Sequence, residues 1–211
     1  IAAVCTLSRA DRQLPQEQQA ELRTTVGLIA FGVEMRVVEP GTTTPLPWDG
    51  ESSGELQVAG AWIAADYYDD PRSRESFTND GWLRTGDVAV VDAMGRIRLV
   101  DRTKDLIKSG GEWISSVDVE NELMSHPKIA EAAVIGVPHP KWSERPLACV
   151  VVKPGETLTK EEVIEHLVPR LAKWQLPDDV VFIPEVPKTS VGKFSKKTLR
   201  EQFAEHVLPG A

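Results

Sequence analysis

A change of hydrophobic pattern near residue 101 divides this sequence into two dissimilar parts. Before it, apolar and polar residues alternate around Val33 and Val37, and residues 87–102, DVAVVDAMGRIRLVDR, are typical of two strands joined by a turn at DAMG. Residues 11–23 are polar and are predicted as a surface helix or loop, and residues 42–54 are predicted as a loop. The first part is therefore expected to be rich in β-structure.

After residue 101, helical and strand patterns alternate. Two helix starts are indicated by capping signatures, Ser115 with Asp118 and Thr159 with Glu162. Further elements are predicted as buried strands at 129–140 and 146–156, a strand at 179–187 and a closing helix at 192–207. The fold class expected for the whole chain is α+β. A first domain is expected at residues 1–101 and a second, small α+β domain at 102–211, joined near 101–105.

Composition excludes several classes of function. The formal net charge of −8 argues against nucleic-acid binding, which needs a basic face. Cys5 and Cys149 are far apart and form no CxxC pair, which favours a reducing, cytoplasmic location over a disulfide framework. The four histidines show no metal-ligand spacing, and no apolar run is long enough to span a membrane.

Three charged or glycine-containing stretches carry the candidate chemistry: GWLRTGD at 81–87, DRTKDLIKSGGEW at 101–113 and VPKTSVGKFSK at 186–196. The last one is not a P-loop, because Pro187 replaces the first glycine and Phe194 replaces the Ser or Thr that would hold magnesium. On residue type alone, Lys193 is either a flexible cation for an anionic ligand or part of a solvated basic helix start. Asp87 is similarly either a ribose-binding carboxylate or an ordinary turn aspartate.

Taken in this order, the three stretches resemble motifs of the adenylate-forming superfamily, which includes acyl-CoA synthetases, adenylation domains and luciferases. KSGGEWISS followed by HPKWSERPLA is most similar to its medium- and long-chain fatty-acyl-CoA ligase branch. The resemblance implies the C-terminal portion of an AMP-forming fatty-acid–CoA ligase, which makes acyl-adenylate from a fatty acid and ATP and passes the acyl group to CoA. Residues 1–101 would end the large adenylation domain, and residues 102–211 would form the small mobile domain.

The resemblance also implies roles for residues around the nucleotide. Lys193 is expected to be catalytic, neutralising charge that develops at the α-phosphate. The residues expected to bind ATP or AMP are Asp87, Arg102, Lys104, Lys108 and Trp113. Lys104 is in addition expected to be the hinge at which the backbone changes conformation between two half-reactions.

The glycine-containing loop is implied to serve the second half-reaction. Lys108, Gly110, Gly111, Glu112 and Trp113 are expected to contact CoA, because glycines let the backbone approach a narrow pantetheine arm without Cβ clashes. Trp113 is expected either to wall the pantetheine tunnel or to cover the nucleotide. The alternative is a core tryptophan that anchors the loop.

The same resemblance sets the cofactors and partners. ATP, Mg²⁺ and CoA are expected, with the magnesium ligands upstream of Ile1 and no metal site within this chain. The family's Ser/Thr/Gly-rich phosphate loop and its aromatic-G-x-T-E motif do not occur in the sequence, so this chain alone is expected to be inactive. Two alternatives are an adenylating enzyme that serves a carrier-protein thiol and a non-catalytic module that docks a partner. A homodimer is compatible with the ligase and with both alternatives.

Overall fold

The computed structural model describes residues 2–71 and 73–209, so the outer ends of the two expected domains, Ile1 and Ala211, lie outside the described residues. The chain forms two compact units, Ile1–Lys104 and Asp105–Ala211. Each unit combines a β-sheet with short helices around its own hydrophobic core. The predicted α+β class is confirmed.

The first unit is built on an antiparallel sheet in the order β1-β2-β6-β5-β4-β3. Its strands are β1 (Ala3–Val4), β2 (Gly27–Ile29), β3 (Val33–Val38), β4 (Ser53–Gly60), β5 (Leu83–Val91) and β6 (Arg96–Arg102). Its α-helices are α1 (Gln16–Thr24) and α2 (Ser73–Ser76), and a 3₁₀ turn precedes them at Asp11–Gln13. The core contains side chains from β3, β4, β5 and β6, among them Val37, Val58, Ala89 and Ile97.

The predicted hairpin is the centre of this unit. β5 pairs with β6, and the DAMG turn closes with the Gly95 N–H donating to the Asp92 carbonyl at 2.8 Å. The Asp92 carboxylate also accepts from the backbone N–H groups of Met94 and Arg96, as expected for an aspartate that organises a turn. The prediction of a turn at these residues is confirmed.

The structure gives more exact bounds for two other predicted segments of this unit. The polar segment at 11–23 is helical from Gln16, directly after Pro15, whose missing N–H suits a helix start. The predicted loop at 42–54 ends earlier than expected, because β4 already begins at Ser53. Gly54 is needed there, since a Cβ atom would lie 2.3 Å from the Val38 carbonyl oxygen on the neighbouring strand.

The second unit is organised around its central strand, β10. Its strands are β7 (Ile107–Ser109), β8 (Glu112–Ile114), β9 (Ile129–His139), β10 (Ser143–Val152) and β11 (Asp179–Phe182). Its α-helices are α3 (Ser116–Met124), α4 (Lys160–Leu167) and α5 (Lys196–Gln202). β10 pairs with β9 along its whole length, with β7 at Ser143 and in parallel with β11 from Leu147 onward.

Alternation along β9 buries both faces of this sheet. Ala132 and Val134 pack in one core with apolar residues of α3 and α4, whereas Ala133 and Ile135 pack in a second core with Leu199 of α5. Side chains of a strand point alternately to opposite faces, so a nearly continuous apolar run is what such a doubly covered strand requires. The buried-strand prediction for this segment is confirmed.

Helix starts were predicted better than helix ends in this unit. The Ser115 side chain accepts from the Asp118 N–H, and Thr159 with Glu162 forms a complete reciprocal capping box. The closing helix predicted over 192–207 is wrong in extent, because it covers only Lys196–Gln202. Ser195 caps it, and Gly192, with φ +81°, keeps the preceding residues in a turn.

Within the described residues, none of the helices combines the length and the apolar character that crossing a membrane requires.

Candidate functional site

Asp87 and Arg102 form an ion pair at the edge of the first unit. They are register partners on β5 and β6, and Arg102 Nη1 lies 2.9 Å from Asp87 Oδ1. The Arg102 side chain is 55% exposed, so the pair contributes little to stability and its groups are accessible to a ligand. Gly86, with φ +71°, precedes the carboxylate, and a Cβ atom there would lie 3.4 Å from Arg102 Nη2. The structure therefore brings these two predicted residues together.

Lys104 is the last residue of the first unit. The chain leaves β6 at Arg102, and the Thr103 N–H donates to the Gly86 carbonyl at 2.9 Å. Lys104 is exposed, whereas the next residue, Asp105, is buried in the second unit and accepts from Arg200 Nη2 at 2.9 Å. The residues on both sides of Lys104 are thus held by hydrogen bonds, Thr103 in the first unit and Asp105 in the second. Lys104 lies at the boundary between these two units.

The glycine-containing loop is a tight β-hairpin rather than an open loop. β7 and β8 pair around Gly110 and Gly111, whose φ angles are +61° and +99°. Two successive residues with positive φ match the type I′ turn that joins short antiparallel strands. The sequence interpretation missed both strands. We call Ile107–Ile114 the glycine hairpin.

The glycine hairpin presents a cation and an aromatic ring side by side. Lys108 and Trp113 face each other across the two strands, and the lysine Nζ lies 5.4 Å from the centre of the indole ring. The Trp113 side chain is 36% exposed, so the alternative of a core tryptophan is wrong. Glu112 is exposed opposite Ser109. Such a surface suits a ligand that has both anionic and apolar parts.

A second tryptophan closes over the turn of the hairpin. The Gly110 N–H donates to the Trp142 carbonyl at 2.9 Å, and a Cβ atom at Gly110 would lie 2.8 Å from the Trp142 ring. Lys141 Nζ lies 4.5 Å from the centre of that ring. The adjoining Glu144 carboxylate accepts from the Lys108 N–H at 3.0 Å. Gly110 is therefore required by a close approach within the second unit.

The glycine hairpin and Trp142 line one side of a cavity of about 460 Å³ in the second unit. Its other side is formed by residues that follow α4, and the lining includes Gly110, Glu112, Trp142, Arg145, Lys173 and Trp174. This volume lies within the range of small-ligand sites, about 300–1,000 Å³. The sequence interpretation assigned no site role to Trp142, Arg145 or Trp174. The available signal was the presence of tryptophans next to lysines outside the apolar runs.

Lys193 lies on a separate loop of the second unit, Pro187–Ser195, which we call the lysine loop. Thr189 organises it: its N–H donates to the Lys193 carbonyl at 2.7 Å, and its carbonyl accepts from the Gly192 N–H at 2.9 Å. The Ser195 N–H donates to the Pro187 carbonyl at 2.7 Å and closes the base of the loop. Lys193 itself is exposed and directly follows the Thr189–Gly192 turn at the tip.

Both ends of the lysine loop are tied to the body of the second unit. Lys188 Nζ lies 2.6 Å from Glu131 Oε1 on β9, and this hydrogen bond lowers the pKa of the Glu131 carboxyl. Lys196 Nζ lies 2.8 Å from Glu120 and 2.6 Å from the Ser116 hydroxyl on α3. The arrangement fixes the base of the loop and leaves the cation of Lys193 at its end.

Other reactive groups do not form a second centre. Among residues 2–71 and 73–209, no three His, Cys, Asp or Glu side chains are grouped as ligands for a metal ion. Burial raises the pKa of the Cys149 thiol to about 12, so this cysteine is protonated and unreactive at neutral pH. Both cysteines are free thiols.

Comparison with known proteins identifies the family. Residues 118–193 match the family model described as AMP-binding enzyme C-terminal domain. Over 195 residues, the chain is 52% identical to a long-chain-fatty-acid–CoA ligase from Thermus thermophilus, a match that covers 92% of this chain and 36% of that protein. The chain therefore carries an AMP-binding enzyme C-terminal domain. The predicted family is confirmed.

The chain is also similar to proteins with other names. A 3-methylmercaptopropionyl-CoA ligase from Ruegeria pomeroyi is 48% identical over 197 residues, covering 93% of this chain and 36% of that protein. The ATP-bound crystal structure of MatB from Rhodopseudomonas palustris superposes with a TM-score of 0.78 at 33% identity, over 86% of this chain and 36% of that one. The chain thus spans about a third of the length of the proteins that it matches.

Proposed function

We propose that this chain is the C-terminal portion of an AMP-forming fatty-acid–CoA ligase. Its strongest support is the glycine hairpin, which exposes Lys108 and Trp113 and whose Ser109, Gly110 and Glu112 line a cavity of about 460 Å³, within a chain 52% identical to a long-chain-fatty-acid–CoA ligase. The reaction has two steps. In the first, the fatty-acid carboxylate attacks the α-phosphorus of ATP and pyrophosphate leaves. In the second, the thiol of CoA attacks the acyl carbonyl, loses its proton and displaces AMP.

Asp87 and Arg102 are proposed to bind the nucleotide. A carboxylate accepts hydrogen bonds from ribose hydroxyls, and a guanidinium donates two parallel hydrogen bonds to phosphate or ribose oxygens. In the existing ion pair, at 2.9 Å, each group orients the other and stabilises its charge. Because both side chains are partly exposed, exchange of part of the ion pair for a ligand contact costs little.

Lys193 is proposed to act in the first step. Charge builds on the α-phosphate oxygens as the carboxylate attacks, and an ammonium group placed there stabilises the transition state more than the ground state. The lysine loop suits this role because its base is closed by hydrogen bonds while the Lys193 side chain near its tip is exposed. Lys104 is proposed as the hinge between this step and the next.

The glycine hairpin is proposed to act in the second step, with CoA as the co-substrate. Gly111 has open space where a Cβ atom would lie, which permits close approach of a pantetheine arm, and Gly110 holds the turn of the hairpin against Trp142. Lys108 offers a positive charge to the phosphates of CoA, and Trp113 offers an apolar wall. The described residues offer no grouped metal ligands, so no step is assigned to Mg²⁺ through this chain.

The test is acyl-CoA formation by the intact ligase proposed to contain this chain. Fatty acids of increasing chain length, ATP and Mg²⁺ are supplied with either free CoA or a phosphopantetheinylated carrier protein. Thioester and AMP should form with free CoA, and acid-dependent exchange of pyrophosphate into ATP should occur without it. Thioester only on the carrier protein would support the carrier-protein alternative, and the absence of pyrophosphate exchange with every acid would support a docking module.

A further inference from the structure

Arg145 occupies the point at which the edge of β10 changes partner. β10 pairs with β7 at Ser143 and with β11 from Leu147, while β9 pairs along the opposite edge. Arg145 lies between these two pairings and is only 8% exposed. A charge at such a buried position requires an opposite charge and hydrogen bonds to its remaining polar atoms.

All five N–H groups of the guanidinium are used. Nε and Nη2 donate to Asp178 Oδ1 at 2.8 and 2.6 Å, and Nη1 donates to the Ser109 hydroxyl at 2.9 Å. The two remaining N–H groups bond to the carbonyls of Trp174 and Leu176 at 2.7 and 3.0 Å. One side chain thereby ties β10 to the glycine hairpin, to the Trp174 segment and to Asp178, the residue before β11.

These bonds define the walls of the cavity. Ser109 is the residue before Gly110, whose N–H bonds to the Trp142 carbonyl, while Trp174 forms the facing wall. Because Arg145 bonds to both walls, a shift of its side chain would change the distance between the two walls. Lysine cannot replace it, because a single ammonium nitrogen lacks the planar fork that reaches several acceptors in different directions.

We infer that Arg145 is a positioning residue that holds the glycine hairpin and the Trp174 segment as one fixed surface for the thiol acceptor. This inference rests on the proposed function, because the acceptor belongs to the second step. Arg145 acts through Ser109 and the Trp174 backbone and touches no reacting atom. It should therefore affect the use of CoA and leave the formation of acyl-adenylate unchanged.

The experiment compares Arg145→Lys with wild type in the intact ligase. A displacement of about 1 Å at a reacting surface can cost about 10²-fold, so kcat/KM for CoA should fall by about that factor, mainly through KM. Acid-dependent pyrophosphate exchange should keep its rate and its KM for ATP. The matched control is Arg170→Lys, since Arg170 bonds to the His166 carbonyl and to Glu122 on α3, away from the cavity lining. This control should change neither half-reaction.

A milder variant keeps the test decisive if Arg145→Lys folds poorly. Ser109→Ala removes one of the five hydrogen bonds and should raise the KM for CoA in the same direction by a smaller factor. An unchanged KM for CoA in folded Arg145→Lys, or equal losses in both half-reactions, would overturn the inference. Wild-type enzyme that exchanges pyrophosphate but does not use CoA would instead overturn the proposed function.

Discussion

The two loops of the second unit that carry candidate chemistry are held in opposite ways. The glycine hairpin is part of the sheet: its strands pair with each other, its turn bonds to Trp142, and Arg145 braces it through Ser109. The lysine loop is tied to the body near its two ends, by Lys188 and by the adjoining Lys196, and the cation of Lys193 is exposed near its tip.

This difference matches two chemical tasks. A rigid backbone without side chains defines the walls of a channel, and small shifts of such a wall are costly. A flexible ammonium group can follow charge as it develops on a phosphate, provided that its loop returns it to the same region. We therefore expect the two loops to fail in different half-reactions when they are altered.

The largest expected effect comes from Lys193→Ala. Loss of one transition-state contact typically costs about 10²–10³ in rate, so acid-dependent pyrophosphate exchange by the intact ligase should fall by this factor. Lys197→Ala is the matched control, because Lys197 is a nearby lysine whose side chain is 82% exposed and whose carboxylate neighbour, Glu201, is 3.8 Å away. Equal losses in the two variants would show that net charge, rather than Lys193 itself, matters.

A somewhat smaller effect is expected from Gly111→Leu. A side chain there projects into open space from a backbone with φ +99°, so it should obstruct the acceptor and slow thioester formation from synthetic acyl-adenylate by about 10²-fold. Gly155→Leu serves as the control, since Gly155 has φ +83° and open space as well but lies outside the glycine hairpin. Each variant should lose about 1–2 kcal/mol of stability through the left-handed backbone. If both slow the thioester step alike, strain explains the loss and the hairpin has no special role.

The smallest effect concerns pH and the base of the lysine loop. The hydrogen bond from Lys188 lowers the pKa of Glu131 in the folded chain, so the pair stabilises the fold above the unfolded pKa of Glu131. That contribution is lost as the pH falls through the lowered folded pKa. Lys188→Met should move the pKa of Glu131 back toward its usual value, measured by NMR titration of the carboxyl carbon, and should flatten the acid limb of the stability curve. A pKa of Glu131 that is the same in both proteins would contradict this coupling.

The features that could be predicted from sequence are those with local causes. The DAMG turn and the caps at Ser115 and Thr159 depend on residues within four positions of each other, and each is found as expected. The glycine hairpin was missed because strands of three residues are too short to show an alternating pattern, although the Gly110–Gly111 pair is a known turn signal. The closing helix was overextended because residues 192–195 satisfy bonds within the lysine loop.

The missed part of the candidate site depends on contacts between distant segments. Trp142, Arg145 and Trp174 meet the glycine hairpin only because β10 brings the ends of β7 and β11 to the same edge. Nothing local at Arg145 indicates burial: it is a charged residue next to Glu144 and Pro146 in the sequence. Its partners lie 29 to 36 residues away, which is beyond the range of pattern reasoning.

The most direct test assays each of the two variants in the half-reaction that it is not expected to affect. Lys193→Ala is supplied with preformed acyl-adenylate and CoA, and Gly111→Leu is assayed for acid-dependent pyrophosphate exchange, each against wild-type intact ligase. The account predicts that both reactions run at nearly the wild-type rate, because each loop serves only the other step. If each variant is impaired equally in both half-reactions, the division of labour between the lysine loop and the glycine hairpin is wrong.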